Sequence, residues 1–143
     1  MTRPVDFKVW VPGRPRAKGN LAAGRFKGVH DVSTGMREWT RAIQAAILEH
    51  RCNPPVKHVP FFVRTHFFFL EDQWHRRGTG RYSEKPDGDK LTRCVWDALS
   101  KYIYSDDCQV TDWDGRKRWA QEKSGLWLTV RELGSYGQVD MPV

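Results

Sequence analysis

Two short runs carry the residues most suited to chemistry. Lys85-Pro86-Asp87-Gly88-Asp89-Lys90-Leu91 and, further along, Ser105-Asp106-Asp107-Cys108-Gln109-Val110 place several carboxylates inside an otherwise strongly basic chain. Two carboxylates held together repel each other, and a hard divalent cation relieves that repulsion while leaving coordination positions for water. Asp87 and Asp89 cannot share a face of a regular helix, because a two-residue step rotates by about 200°. In an extended approach to a helix, alternate side chains point the same way, and Gly88 allows an unusual bend between them. Asp107 or Asp106, arriving from a distant turn, would complete an oxygen-rich site. Magnesium suits such a donor set better than zinc, with substrate phosphate and water as the other ligands. A purely structural reading stands beside this one: Asp89 caps a helix, and Asp106 and Asp107 make a turn.

The elements that position these acids can be read from periodicity. Phe7 to Val11 reads as a strand that stops at Pro12-Gly13. A long irregular segment follows, carrying Arg14, Arg16, Lys18, Arg25, Lys27 and His30, a composition suited to a loop that orders on a phosphate backbone or, alternatively, to a solvated loop. From about Ser33, Met36, Trp39, Ile43, Ala46 and Ile47 recur at helical spacing, with Ser33 or Thr34 as cap and Asn53-Pro54-Pro55 as the stop. Val59 to Leu70 reads as a long strand buried on at least one face, with His66 an ordinary strand histidine. The loop from Glu71 to Lys85 interleaves Arg76, Arg77 and Arg81 with Trp74, His75 and Tyr82, which would allow phosphate pairing beside stacking on unpaired bases.

A second helix is expected to begin near Asp89. Leu91, Val95, Ala98, Leu99 and Tyr102 form its apolar stripe, while Arg93, Asp97 and Lys101 follow at four-residue steps, so that an Arg93–Asp97 pair is one reading of Arg93. Gln109 to about Lys123 and Leu126 to Leu133 read as strands joined near Ser124-Gly125 in an antiparallel hairpin. The pattern predicts an α+β fold: a small single domain over 1–133, a mixed or antiparallel sheet of about four strands packed with two main helices. The stretch 134–143 reads as a tail without pattern, expected to be disordered.

Composition sets bounds on function. The 143 residues hold 24 Lys+Arg against 17 Asp+Glu, a net charge of +7, the balance expected of a protein with a polyanionic partner. A hydrophobic fraction of 39% with seven Trp argues for a folded globule over a disordered basic tail. Cys52, Cys94 and Cys108 lack metal-ligand spacing and are odd in number, which argues against a disulfide framework or a structural zinc and for a reducing compartment. No apolar run approaches the length of a membrane span, and no signal peptide is evident, so a soluble cytoplasmic protein is expected.

The order Lys85-Pro86-Asp87-Gly88-Asp89-Lys90-Leu91, Asp97-Ala98-Leu99, Asp106-Asp107-Cys108-Gln109-Val110 and Lys117 resembles the signature of the RusA family of Holliday junction resolvases. The resemblance implies a homodimeric endonuclease of a bacterial cell or phage-infected host that cuts four-way DNA junctions with Mg²⁺, with Mn²⁺ as a substitute. It implies Asp87, Asp89 and Asp107 as metal ligands, with Asp106 as neighbour or alternate, and Lys117 near substrate phosphate. Arg93 stands where the family often has a lysine, which favours a phosphate clamp over a proton donor. Lys90, Arg14, Arg16, Lys18, Arg76, Arg77 and Arg81 are the expected DNA contacts. The strand around Phe67 to Phe69 and the helix around Trp39 are candidates for the dimer seam or for the core. Two other classes compete: a non-catalytic module binding branched or single-stranded DNA, and a metal-dependent hydrolase of a small phosphorylated molecule, which the long basic loops disfavour.

Overall fold

The computed structural model describes residues 3–17, 30–70 and 80–134, with the side chains of 30–34 outside that description. Its elements are β1 (Asp6–Pro12), α1 (His30–Ala46), β2 (Phe61–Phe69), α2 (Gly88–Leu99), β3 (Val110–Trp119) and β4 (Gly125–Glu132), with single 3-10 turns at Leu48–His50 and Asp107–Gln109. The strands form one mixed sheet in the order β1-β4-β2-β3. β4 runs antiparallel to both β1 and β2, and β3 runs parallel to β2. The α+β class and the two helices agree with the sequence pattern. Lys18, Arg76, Arg77 and the tail from 135 onward lie outside the described residues.

The expected hairpin does not form. β3 and β4 are separated by β2, which pairs with both. β2 buries Phe61, Val63, Thr65, Phe67 and Phe69 on one face and half-buries Phe62, His66 and Phe68 on the other. A strand this apolar on both faces belongs in the sheet interior, with a neighbour at each edge. The link 120–124 has only to step over two strand spacings, about 10 Å. It is tied across the end of β2 by Ala120 N–H to the Phe69 carbonyl (2.9 Å) and by Leu70 N–H to Ser124 Oγ (2.7 Å). Gly125 serves a packing role, since a Cβ there would run into the Trp10 indole.

Both helices lie against one face of the sheet. Trp39, Ile43 and Ile47 meet Leu91, Val95, Ala98 and Leu99 over Phe61, Val63, Phe67, Leu126, Leu128 and Val130, all buried. Each fully buried aliphatic or aromatic side chain contributes roughly 1.5–3 kcal/mol. Trp39, Phe67 and Phe69 are core residues, which removes them from the candidate dimer seam. α1 begins at His30, before the expected Ser33, and ends at Ala46, well short of the prolines. The chain tightens there into the 3-10 turn, which lets the His50 ring stack on Phe7 at 4.2 Å. Tertiary packing therefore stops the helix before proline can. The opposite face of the sheet presents Trp10 in ring contact with both Phe68 and Trp127, with Lys8 and Lys123 over the indoles.

Candidate active site

A groove of about 1020 Å³ runs between α2 and β3. Its shape follows from two matched spacings. Gly88 lies over Lys117, with 3.9 Å between a notional Gly88 Cβ and Lys117 Cδ. Gly115 faces the Thr92 hydroxyl in the same way at 3.9 Å, and the rings of Trp96 and Trp113 meet edge-on at 5.5 Å. Every fourth helical residue thus meets every second strand residue, because four residues of helix rise about 6 Å and two of strand about 6.6 Å. Asp89, Thr92, Arg93 and Trp96 line the groove from α2, and Trp113, Gly115, Arg116, Lys117 and Arg118 line it from β3. Asp107 enters it from the 3-10 turn, and Arg81 from the segment before α2.

The approach to α2 is held from below. Lys117 Nζ donates to the carbonyls of Glu84 (2.6 Å) and Pro86 (2.7 Å), so its ammonium braces the loop that carries the first two acids. Burial pushes its pKa below the usual lysine value, with Asp87 opposing that shift. Tyr82, read from sequence as a stacking surface for bases, is buried instead. It stacks on Phe69 at 4.2 Å and donates its hydroxyl to the Lys85 carbonyl (2.7 Å).

Asp87 is the N-cap residue of α2, with an extended backbone, and its carbonyl accepts from Leu91 N–H. Its side chain does not cap the helix. Lys85 Nζ reaches Asp87 Oδ1 at 3.0 Å and Lys90 Nζ reaches Oδ2 at 3.6 Å. These ammoniums, Lys85 foremost, hold the Asp87 carboxyl below its ordinary pKa. Asp89 lies one residue inside the helix, in the first turn, where the helix dipole favours an anion. Because the helix starts at Gly88, the alternation of extended chain does not apply. Asp89 lines the groove, whereas Asp87 lines an adjoining cavity of about 460 Å³ with Arg14, Arg16, Lys85 and Lys90.

Asp106 and Asp107 divide their tasks. Asp106 caps the 3-10 turn: its carboxylate accepts from Cys108 N–H, and Gln109 Oε1 accepts from Asp106 N–H in return. The buried Gln109 also accepts from Ser105 and donates to the carbonyls of Val56 and Val59, both at 3.1 Å. The turn is therefore fastened to the strand entry at 56–59, and Asp107 is left to face the groove. Partial burial raises the Asp107 pKa first, and hydrogen bonding to Asp106 and the charge of Asp97 raise it further. Asp106 is lowered, chiefly by the Cys108 N–H.

Asp97 was not singled out as a site residue from sequence. Its place four residues beyond Arg93 and eight beyond Asp89, on one stripe of α2, was the available signal. Its carboxyl lies close enough to Asp107 to help raise that residue's pKa, while Arg93 is exposed and makes no ion pair among the described residues. Arg116 and Arg118 were also missed, although their place on either side of Lys117 in β3 was the available signal.

The crowding at Asp107 has a measurable cost. An acid whose folded pKa is raised contributes stability below its unfolded pKa and loses it as pH rises through the folded value. At neutral pH the metal-free protein therefore carries at Asp107 a partly desolvated charge that Asp97 and Asp106 also repel. Asp107→Asn is expected to raise the melting temperature in EDTA by about 3 °C, the scale of a partly screened like-charge contact. Thermal scans of both proteins at neutral and acidic pH check this, with the gain shrinking as pH falls.

A groove with acids on its floor and guanidinium groups along its rim suits phosphodiester chemistry, and comparison with known families agrees. A family model described as Endodeoxyribonuclease RusA matches residues 12–131. The chain belongs to the RusA endodeoxyribonuclease family. The match takes in α1, α2 and β2 to β4 almost entirely, so the whole groove lies within it. Membership of the RusA family carries endonuclease activity on DNA, and a branched junction is the substrate that it implies. No curated protein matches the chain. Among the described residues, no helix is long and apolar enough to cross a membrane.

Proposed function

We propose that the protein is a magnesium-dependent, structure-specific endonuclease that resolves four-way DNA junctions by paired symmetric nicks. The observation that carries this reading is the meeting of Asp89 and Asp107 in one groove rimmed by Arg81, Arg93, Arg116 and Arg118. The raised pKa of Asp107 marks a place where negative charge lacks a counterion, and hard divalent cations answer that need. Among the described residues, no three His, Cys, Asp or Glu side chains converge on a common point for an ion. The donor set thus fits magnesium in its common mode, with one or two protein carboxylates and the remaining positions filled by water and substrate phosphate. Asp89 and Asp107 would hold it, with Asp87 at the mouth of the adjoining cavity and Asp106 fixing the turn. Mn²⁺ would substitute. When bound, the ion supplies Lewis-acid stabilisation of the phosphoryl charge and a more acidic water.

The chain's own residues do the rest. Arg93, exposed and without an ion pair among the described residues, clamps the phosphate at the scissile position, and its permanent charge excludes a proton-donor role. Arg116 and Arg118 extend the cationic rim along the strand. Arg14, Arg16 and Lys90 receive a flanking phosphate in the adjoining cavity. Lys117 holds the loop rather than the substrate. Because a four-way junction is approximately two-fold symmetric, paired nicks call for two grooves related by symmetry, which a homodimer supplies.

The test is cleavage of a labelled synthetic four-way junction beside linear duplex of the same sequence, with Mg²⁺ or EDTA. Paired nicks near the branch point that require Mg²⁺ and spare the duplex are expected. Tight, salt-sensitive junction binding without any cut would replace this reading with the non-catalytic binding module.

A further inference from the structure

Hydrolysis leaves one feature of the groove unused. Trp113 lies in β3 beside the fully buried Val63, yet 61% of its own surface is exposed. The ring is not loose: Trp96, from α2, meets it edge-on at 5.5 Å with 72° between the planes. One side of the indole is thus braced and the remainder faces the groove that also holds Arg93, Arg116 and Asp107. Among the described residues the other exposed indole, Trp127, lies away from this groove beneath Lys8, and Tyr82 is buried.

A braced, open aromatic surface beside guanidinium groups matches the chemistry of an unpaired nucleobase and its phosphate. Bases inside duplex DNA are already stacked on both faces and offer no such surface. Bases at a branch point, a gap or a single strand do. The matched spacing of α2 and β3 puts Trp113 two helical turns from Gly88, about 12 Å along the groove. That distance corresponds to roughly three stacked nucleotides from the phosphate position beside Asp89, at 3.4 Å per nucleotide.

We propose that Trp113, braced by Trp96, is a stacking platform for a nucleobase left unpaired at the branch point, and that it gives the groove its preference for branched over linear DNA. The proposal rests on the junction-nuclease reading and names the substrate feature recognised there.

The test compares the parent protein with Trp113→Ala and Trp113→Phe. Three probes are used in EDTA: a four-way junction with 2-aminopurine at the branch point, a single-stranded oligonucleotide, and a linear duplex. Trp113→Ala is expected to weaken junction and single-strand binding about tenfold or more, the scale of one base–aromatic stack, and to abolish quenching of the 2-aminopurine. Duplex binding should change less than about twofold, and Trp113→Phe should restore most of the affinity. Equal loss on duplex, or unchanged junction affinity and quenching, would overturn the platform. A shift of Trp113→Ala to a smaller species by light scattering would overturn it in favour of a second copy of the chain at this surface. Cleavage by the parent protein is measured separately. A parent that cuts junctions while Trp113→Ala binds them normally defeats only the platform, whereas a parent that never cuts defeats the nuclease reading and leaves the single-strand result to decide the platform.

Discussion

Asp89→Asn is expected to bind a four-way junction at least as tightly as the parent protein and to cut it more slowly by about 10³-fold or more, the upper range for loss of one charge-stabilising group. The side chain is exposed, in the first turn of α2, and forms no ion pair among the described residues. Its replacement by a near-isosteric amide should leave packing untouched. It also removes a negative charge from a groove that must accept a polyanion, so affinity without metal should hold or rise. What is lost is the charge that would draw a divalent cation to the phosphate. Junction binding in EDTA and cleavage across a Mg²⁺ titration measure the two effects separately. A variant that cuts at the parental rate with unchanged metal dependence would remove Asp89 from the proposed site.

Lys117→Met should lower cleavage by about 10²-fold while leaving junction affinity and its dependence on salt nearly unchanged. The reason is geometric. The Lys117 ammonium joins the carbonyls of Glu84 and Pro86, and through them it sets where Asp87 and Asp89 stand relative to Asp107. Methionine keeps the aliphatic stem and abandons both carbonyls, and displacement of a reacting group by about 1 Å can cost 10²-fold in rate. A lysine that bound phosphate would behave otherwise: its loss would weaken binding and reduce the slope of log K against log salt by about 1. Lys117→Arg should not restore the rate, since a planar guanidinium cannot point three tetrahedral donors at the same two oxygens. A fall in affinity with a reduced salt slope would return Lys117 to the phosphate-contact role that its place in the sequence implies.

The same residue shows where reading a sequence succeeds and where it stops. Periodicity reports which face of an element is apolar, so the buried stripe Leu91, Val95, Ala98 and Leu99 and the long strand through Phe67 were legible. The family resemblance, carried by the acids and their order, was legible too, and the match over residues 12–131 bears it out. Pairing between elements is a different matter. The Ser124-Gly125 turn looks like a hairpin because local turn chemistry says nothing about a third strand taking the middle place. Asp97 reads as a helix-surface charge until the Asp107 turn arrives beside it. Tyr82 and Lys117 sit in a basic, aromatic stretch that resembles a nucleic-acid surface, and only the packing of Tyr82 on Phe69 and the two carbonyls at Lys117 reassign them to support. Charge and aromaticity are visible in a sequence, but the direction a side chain takes is settled by its neighbours.

Every described residue lining the groove falls between Phe67 and Arg118, within the β2–α2–β3 crossover. Among the described residues β1 and β4 contribute none, although they make up half of the sheet. The proposed cutting groove is therefore one unbroken stretch of sequence, and β1 and β4 support it from the rest of the sheet. Substitution at Arg14 or Arg16, ahead of β2, would change the adjoining cavity without altering any residue of the groove itself.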